Sequence, residues 1–188
     1  MTRPTIETEW LVLRPFRLED ASDVQRLCSA REIAAATLLI PHPYPDGAAE
    51  QWIAGHAAAY ERGESLELAI EAREGATLVG AIGLRMEREH ERAELGYWIG
   101  VPHWGRGYAT EAAKALLRHA FEEEGMHRVF AYHFANNPAS GRVLQKIGMK
   151  HEGTRRGHSR KWGEYLDDEC YGVLRSERQT AVPVRPGE

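Results

Sequence analysis

The residues best placed to hold a charged ligand lie in one run, Leu95-Gly96-Tyr97-Trp98-Ile99-Gly100-Val101-Pro102-His103-Trp104-Gly105-Arg106-Gly107-Tyr108-Ala109-Thr110. Its apolar, strand-like first half stops at Pro102, turns through Gly105 and Gly107, and enters a helix expected to reach about Glu124. Glycines at such a junction let a backbone approach a ligand closely. The first turn of the helix leaves N–H groups unpaired, and the helix dipole favours negative charge beside them. Strand, glycine turn and helix start together form a phosphate cradle. Two common cradles fail on spacing. A Walker loop needs Lys-Ser/Thr where Arg106-Gly107 stands, and a dinucleotide fingerprint needs Gly or Ala where Thr110 stands. The missing Lys-Ser/Thr, with no acidic metal-binding motif, also argues against a nucleotide phosphohydrolase.

The elements that must position this turn fit one domain over residues 1–177, followed by a polar tail, 178–188, expected to be mobile. Of the 188 residues, 43% are hydrophobic and 28% charged, the balance of a soluble globular chain. The net charge of −4 with no basic stripe gives little support to nucleic-acid binding and is compatible with a cationic amine as partner. Cys28, Cys170 and the histidines have no metal-ligand spacing, so no metal is expected. The absence of a signal peptide and of any membrane-length apolar run gives a cytoplasmic expectation, with no membrane partner.

Strands are expected over 10–14, 66–71, 77–85, 92–99, 128–135, 149–154 and 168–174, and helices from Asp20 to Cys28, Asp46 to Arg62, Tyr108 to Glu124 and Pro138 to Ile147. Asp20 and Asp46 are candidate N-caps, with Trp52, Ile53 and Ala57 expected to face inward. Residues 31–45, proline-rich yet apolar, read as a loop or short helix covering something. The segments up to Ile99 are joined by short links and suit antiparallel pairing, whereas the helical connection between the strands at 92–99 and 128–135 implies a parallel pair. Asn137 and Pro138 start the last helix and Gly148 ends it.

Trp104-Gly105-Arg106-Gly107-Tyr108-Ala109 resembles the R/Q-x-x-G-x-G/A pyrophosphate loop of GNAT acyl-CoA N-acyltransferases, with Trp104 departing from Arg or Gln. The aromatic residue followed by Gly-Arg-Gly-Tyr-Ala-Thr-Glu-Ala is similar to the RimJ/RimL-type branch. Asn136-Asn137-Pro138-Ala139-Ser140-Gly141-Arg142-Val143-Leu144-Gln145-Lys146-Ile147-Gly148-Met149 resembles that branch's N-x-x-S-x-x-[VL]-x-x-K-x-G-[FM] segment. Leu13-Arg14-Pro15-Phe16 and Tyr171-Gly172-Val173-Leu174 resemble its opening and closing segments, so the likeness extends to about Glu177.

The resemblance implies an α/β (α+β) GNAT fold, a mixed, mostly antiparallel sheet with a splayed parallel strand pair and helices on both faces. It implies an N-acetyltransferase that moves the acetyl group of acetyl-CoA to a primary amine, a peptide N-terminus or a small molecule, and a possible homodimer. By the same resemblance, backbone groups of Ile99 and Val101, with Gly100 between them, meet the pantetheine arm. The N–H groups from Trp104 through Gly105, Arg106, Gly107, Tyr108, Ala109 and Thr110 meet the pyrophosphate, and Asn137 meets the arm from the other side. Arg142 and Lys146, one turn apart, either reach adenosine phosphates or form a solvated face. The Tyr that often serves as proton donor in this superfamily is replaced by Leu144, which points to Ser140 instead, or leaves Ser140 as a helix-start hydroxyl. Glu94 is the expected base, against the alternative of a surface carboxylate, with His133 and His158 in reserve. Strand parity puts Trp98 beside Glu94 as a pocket wall. Residues 31–62 and 155–166 are expected to shape the acceptor site, and the missing Tyr keeps open a non-catalytic acyl-CoA sensor.

Overall fold

The computed structural model describes residues 2–179 and builds an eight-stranded sheet. In chain order its elements are β1 (Ile6–Glu7), β2 (Leu11–Pro15), α1 (Ala21–Cys28), α2 (Arg31–Ala36), α3 (Ala48–Glu61), β3 (Ser65–Ala72), β4 (Thr77–Glu87), β5 (Arg92–Ile99), α4 (Tyr108–Glu122), β6 (Arg128–Phe134), α5 (Pro138–Lys146), β7 (Lys150–Lys161), β8 (Glu164–Leu174) and α6 (Arg175–Gln179). The strand order is β1-β2-β3-β4-β5-β6-β8-β7, and every neighbouring pair is antiparallel except β5–β6.

The parallel pair decides the shape of the site. Its register covers only Arg92↔Arg128, Ala93↔Val129 and Glu94↔Phe130, after which β5 runs on to Ile99 and β6 to Phe134 without pairing to each other. Each strand stays bound on its other side, β5 to β4 along its whole length and β6 to β8 along its whole length. The two halves of the sheet therefore diverge from Glu94 onward and leave a wedge-shaped gap.

Alternation along the central strands sends side chains to opposite faces. Leu66, Leu68, Ile82, Leu84, Ala93 and Leu95 are buried in the core that also holds the Ala112, Ala113, Leu116 and Ala120 face of α4 and Leu144 of α5. On the opposite face Ala69 and Ala81 pack with Val24 and Cys28 of α1, Ile33 of α2 and Ile53 of α3, and Trp98 lies against this cluster. The α4 face works because alanines allow a close approach to the sheet while Leu116 and Leu117 fill the space between.

The 31–45 stretch is the short helix and loop expected, α2 followed by an irregular segment to Asp46. Several other expectations are revised. Asp46 does not cap α3; Gly47 does, at φ +76°. Asp20 makes no side-chain cap either, because its carboxylate accepts two 2.8 Å hydrogen bonds from Arg14 and one from the Arg17 N–H. Ala57 is exposed and His56 is buried in its place, edge-on to Phe16 and Trp52. The final hairpin is much longer than its sequence suggested, because β7 is a polar edge strand with only Ser159 buried. What holds β7 is its pairing with β8 through the tight turn at Trp162 (φ +51°) and Gly163 (φ +91°), both in the left-handed region such hairpin turns use. Of the tail expected at 178–188, residues 178 and 179 belong to α6 and the others lie outside the described residues.

Candidate active site

The divergence of β5 and β6 opens a cavity of about 830 Å³ that connects both faces of the sheet. One end is bounded by the turn 103–110 and by α5, the other by α1, α2, the segment 37–41 and Trp52.

At the first end, Gly105 and Gly107 adopt φ +76° and +82°, and a Cβ on either would meet open space, so nothing within the fold fills the turn. No N–H from Gly105 to Thr110 finds an acceptor among the described residues, and α4 has no side-chain cap. The Trp104 N–H, expected to belong to the same row, donates instead to the Val101 carbonyl at 3.2 Å. A curved row of unpaired main-chain donors at the start of a 15-residue helix fits a diphosphate. The Val101 N–H is likewise without an acceptor among the described residues. The Ile99 carbonyl is not free: the Trp104 indole donates to it at 2.5 Å. The aromatic departure in the motif thus folds back over the end of β5. Gly100 is a glycine for packing reasons, since a Cβ would sit 2.6 Å from Leu27 Cδ2, and its N–H donates to Val79. Arg142 and Lys146 are exposed at the rim of the cavity. Asn137 caps α5, its side chain accepting from the Ser140 N–H at 3.4 Å.

Ser140 sits in the first turn of α5, where its Oγ and the Tyr97 hydroxyl share a hydrogen bond of 2.7 Å. Burial raises the Tyr97 hydroxyl to about 12, against a smaller opposing effect of Ser140, so it stays protonated at neutral pH. Tyr97 carries no signal in the sequence beyond its strand position; only the packing of α5 on β5 brings it to Ser140.

On the other face three cross-strand rows run to the cavity, Ser65–Arg85–Glu94, then Glu67–Gly83–Gly96, then Ala69–Ala81–Trp98, and all but Ser65 and Ala69 line it. Glu94 and Trp98 therefore do share a face. Burial raises the Glu94 carboxyl, opposed by the charges of Arg85 and Arg155 and by a hydrogen bond from Tyr132. Glu67, which sequence reasoning passed over, also lines the cavity and is pushed up to about 7 by burial. Its signal was a lone carboxylate between two buried leucines in an inner strand.

His158 is exposed and does not line the cavity. His133 does reach the lining but is buried beneath α5, stacked on Tyr171 and bonded through Nδ1 to the Phe134 carbonyl, which leaves it poorly placed to serve an acceptor. The 155–166 segment contributes no lining residue; it acts at a distance, Lys161 Nζ donating to the Leu38 and Ile40 carbonyls at 3.0 and 2.7 Å. Among the described residues no group of three His, Cys, Asp or Glu side chains is placed to hold a metal, and no helix is long and apolar enough to cross a membrane.

A family model for the acetyltransferase (GNAT) domain matches residues 11–150. The chain belongs to the GNAT acetyltransferase family. It is 31% identical over 173 residues to an uncharacterized N-acetyltransferase, YoaA, of Bacillus subtilis, covering 92% of this chain and 97% of that one. Its fold is similar to the crystal structure of a GNAT-family acetyltransferase from Bacillus anthracis (TM-score 0.81, 24% identity, 91% of this chain and 98% of that one). It is also similar to RimL, a ribosomal L7/L12 alpha-N-protein acetyltransferase in complex with coenzyme A (TM-score 0.84, 18% identity, 91% and 98%).

As a GNAT acetyltransferase the chain is an acetyl-CoA-dependent acyltransferase, and the unpaired donors of its turn suit that cofactor's diphosphate. The mixed sheet with one splayed parallel pair and helices on both faces is the fold the motifs implied.

Proposed function

We propose that the protein acetylates a primary amine that enters from the α1–α3 side of the sheet, while acetyl-CoA enters from the α4–α5 side. The observation that carries this reading is the split of chemistry across the gap: carboxylates on one face, a hydroxyl pair on the other. Bound acetyl-CoA supplies a thioester whose acyl carbon a neutral amine can attack. The main-chain donors from Gly105 to Thr110 hold its diphosphate, the Val101 N–H its arm, and Arg142 and Lys146 the phosphate on the adenosine ribose.

Glu94 accepts the proton that the incoming ammonium must lose, a task suited to a carboxylate whose ionised form is disfavoured by burial. Ser140 gives its proton to the departing sulfur and regains one from the nitrogen of the collapsing adduct, while Tyr97 hydrogen-bonds behind it and holds its rotamer. Leu144 is buried in the core, so the donor hydroxyl on α5 falls to Ser140, one turn earlier.

Thiol release from acetyl-CoA, followed against a panel of N-terminal peptides, arylalkyl amines, polyamines and aminoglycosides, tests the reading. Amine-dependent release that falls about 10- to 1,000-fold in Ser140→Ala and in Glu94→Gln is expected. Acetyl-CoA binding without release by any amine would replace the enzyme reading with a sensor.

A further inference from the structure

Two glycines in the cavity floor stand next to each other across β4 and β5, and a carboxylate completes their row: Glu67↔Gly83↔Gly96. Glu67 lies flat over Gly83, for a Cβ built there would be 2.2 Å from Glu67 Oε2. A Cβ on Gly96 would meet nothing within 4 Å. The carboxylate thus fills the place of one absent side chain and borders the open space left by the next, at the position where β5 has parted from β6.

No described residue donates a hydrogen bond to Glu67 or forms an ion pair with it; Arg85 acts on it only through its charge. That isolation distinguishes it from Glu94, which has Arg85, Arg155 and Tyr132 around it. Glu67 is half-buried at the cavity wall, and its carboxylate, which has no partner among the described residues, is open to a cation that enters the cavity. The walls beside it are apolar and aromatic: Trp98, Trp52, Tyr44, Leu38 and Ile40.

We infer that Glu67 is the docking carboxylate for the acceptor's ammonium group, in the space above Gly96, and that it selects primary amines carried on an apolar or aromatic body. The inference rests on the proposed acetyltransferase reading and adds to it a specificity-determining residue distinct from Glu94. Docking places the ammonium one row from Glu94, which then takes its proton.

The test uses 2-phenylethylamine and its isosteric alcohol, 2-phenylethanol, as probes of the full chain saturated with coenzyme A, read by calorimetry, and the amine again in thiol-release kinetics with acetyl-CoA. The parent should bind the amine at least tenfold tighter than the alcohol. Glu67→Gln should lose that preference and raise KM for the amine tenfold or more. Its kcat should stay within about threefold, its coenzyme A affinity should be unchanged, and its Tm should be no lower, since no folded-state partner is lost. Gly83→Ala keeps the charge but displaces the carboxylate, and should also weaken amine binding. Amine preference retained in Glu67→Gln overturns the inference, as does a parent that binds amine and alcohol alike. A parent that binds the amine through Glu67 yet never releases thiol sinks the acetyltransferase reading and leaves the docking site standing.

Discussion

The Ser140 Oγ and Tyr97 hydroxyl share a 2.7 Å hydrogen bond at the gap between β5 and β6. If Ser140 donates the proton and Tyr97 only orients it, Tyr97→Phe should lower kcat about 3- to 10-fold and Ser140→Ala about 10-fold or more, with the double variant no worse than Ser140→Ala alone. Additive losses in a steady-state cycle would assign Tyr97 its own proton-transfer role. Gly107 is at φ +82° beside a row of unpaired donors, so Gly107→Glu adds both backbone strain and a negative charge where a diphosphate must lie. Acetyl-CoA affinity should fall at least 100-fold by calorimetry while the variant still folds, because a Cβ there meets nothing.

At the scale of elements, α4 is both roof and cradle. Its buried face fastens it to β4 and β5, and its uncapped N-terminus lines the cavity. Leu116 is fully buried, and Leu116→Ala should cost about 2–5 kcal/mol in denaturant unfolding. The β7–β8 hairpin has a different part. Lys161 reaches from its tip to the carbonyls of Leu38 and Ile40, which line the cavity, and Trp162 stacks under Arg31 of α2. Lys161→Ala should therefore raise the acceptor KM several-fold and leave the acetyl-CoA KM unchanged, because Lys161 donates to the Leu38 and Ile40 carbonyls, at the end of the cavity away from the turn 103–110.

The whole molecule is tied at its far end by Glu124, which takes hydrogen bonds from Tyr60 and Arg88 and lies 3.4 Å from His119 Nε2. His119 first, and then Arg88, bring its carboxyl from an ordinary 4.5 down to about 2 despite its burial. A carboxylate lowered in the folded state adds stability above the ordinary value and loses it as pH falls toward 2. The melting temperature should accordingly drop between pH 5 and 3, and Glu124→Gln should show a shallower drop over that interval along with a lower Tm at pH 7. An unchanged pH slope would remove Glu124 from the acid response. Asp20 responds in the same direction: burial alone would raise it, but Arg14 and Arg17 outweigh burial and lower it.

The family, the acyl donor and the cradle were legible in one dimension because they depend on local rules. Glycines in the left-handed region, unpaired donors at a helix start and an Asn-Pro helix entry are all fixed by neighbours in sequence. The parallel pair followed from the length of its helical connection, and Glu94 and Trp98 were placed on one face by alternation alone. Local signals failed where pairing or packing overruled them. β7 has no apolar alternation and exists as a strand because β8 binds it; Asp20 is a good cap by type but is drawn to Arg14. The Tyr97–Ser140 contact spans 43 positions, and Glu67 became conspicuous only when Gly83 and Gly96 lined up beside it across three strands. Periodicity and turn chemistry determine which elements form, but the register between strands distant in the chain decides which side chains share a cavity. That register is set by the burial of the whole sheet, a quantity no single stretch of sequence contains.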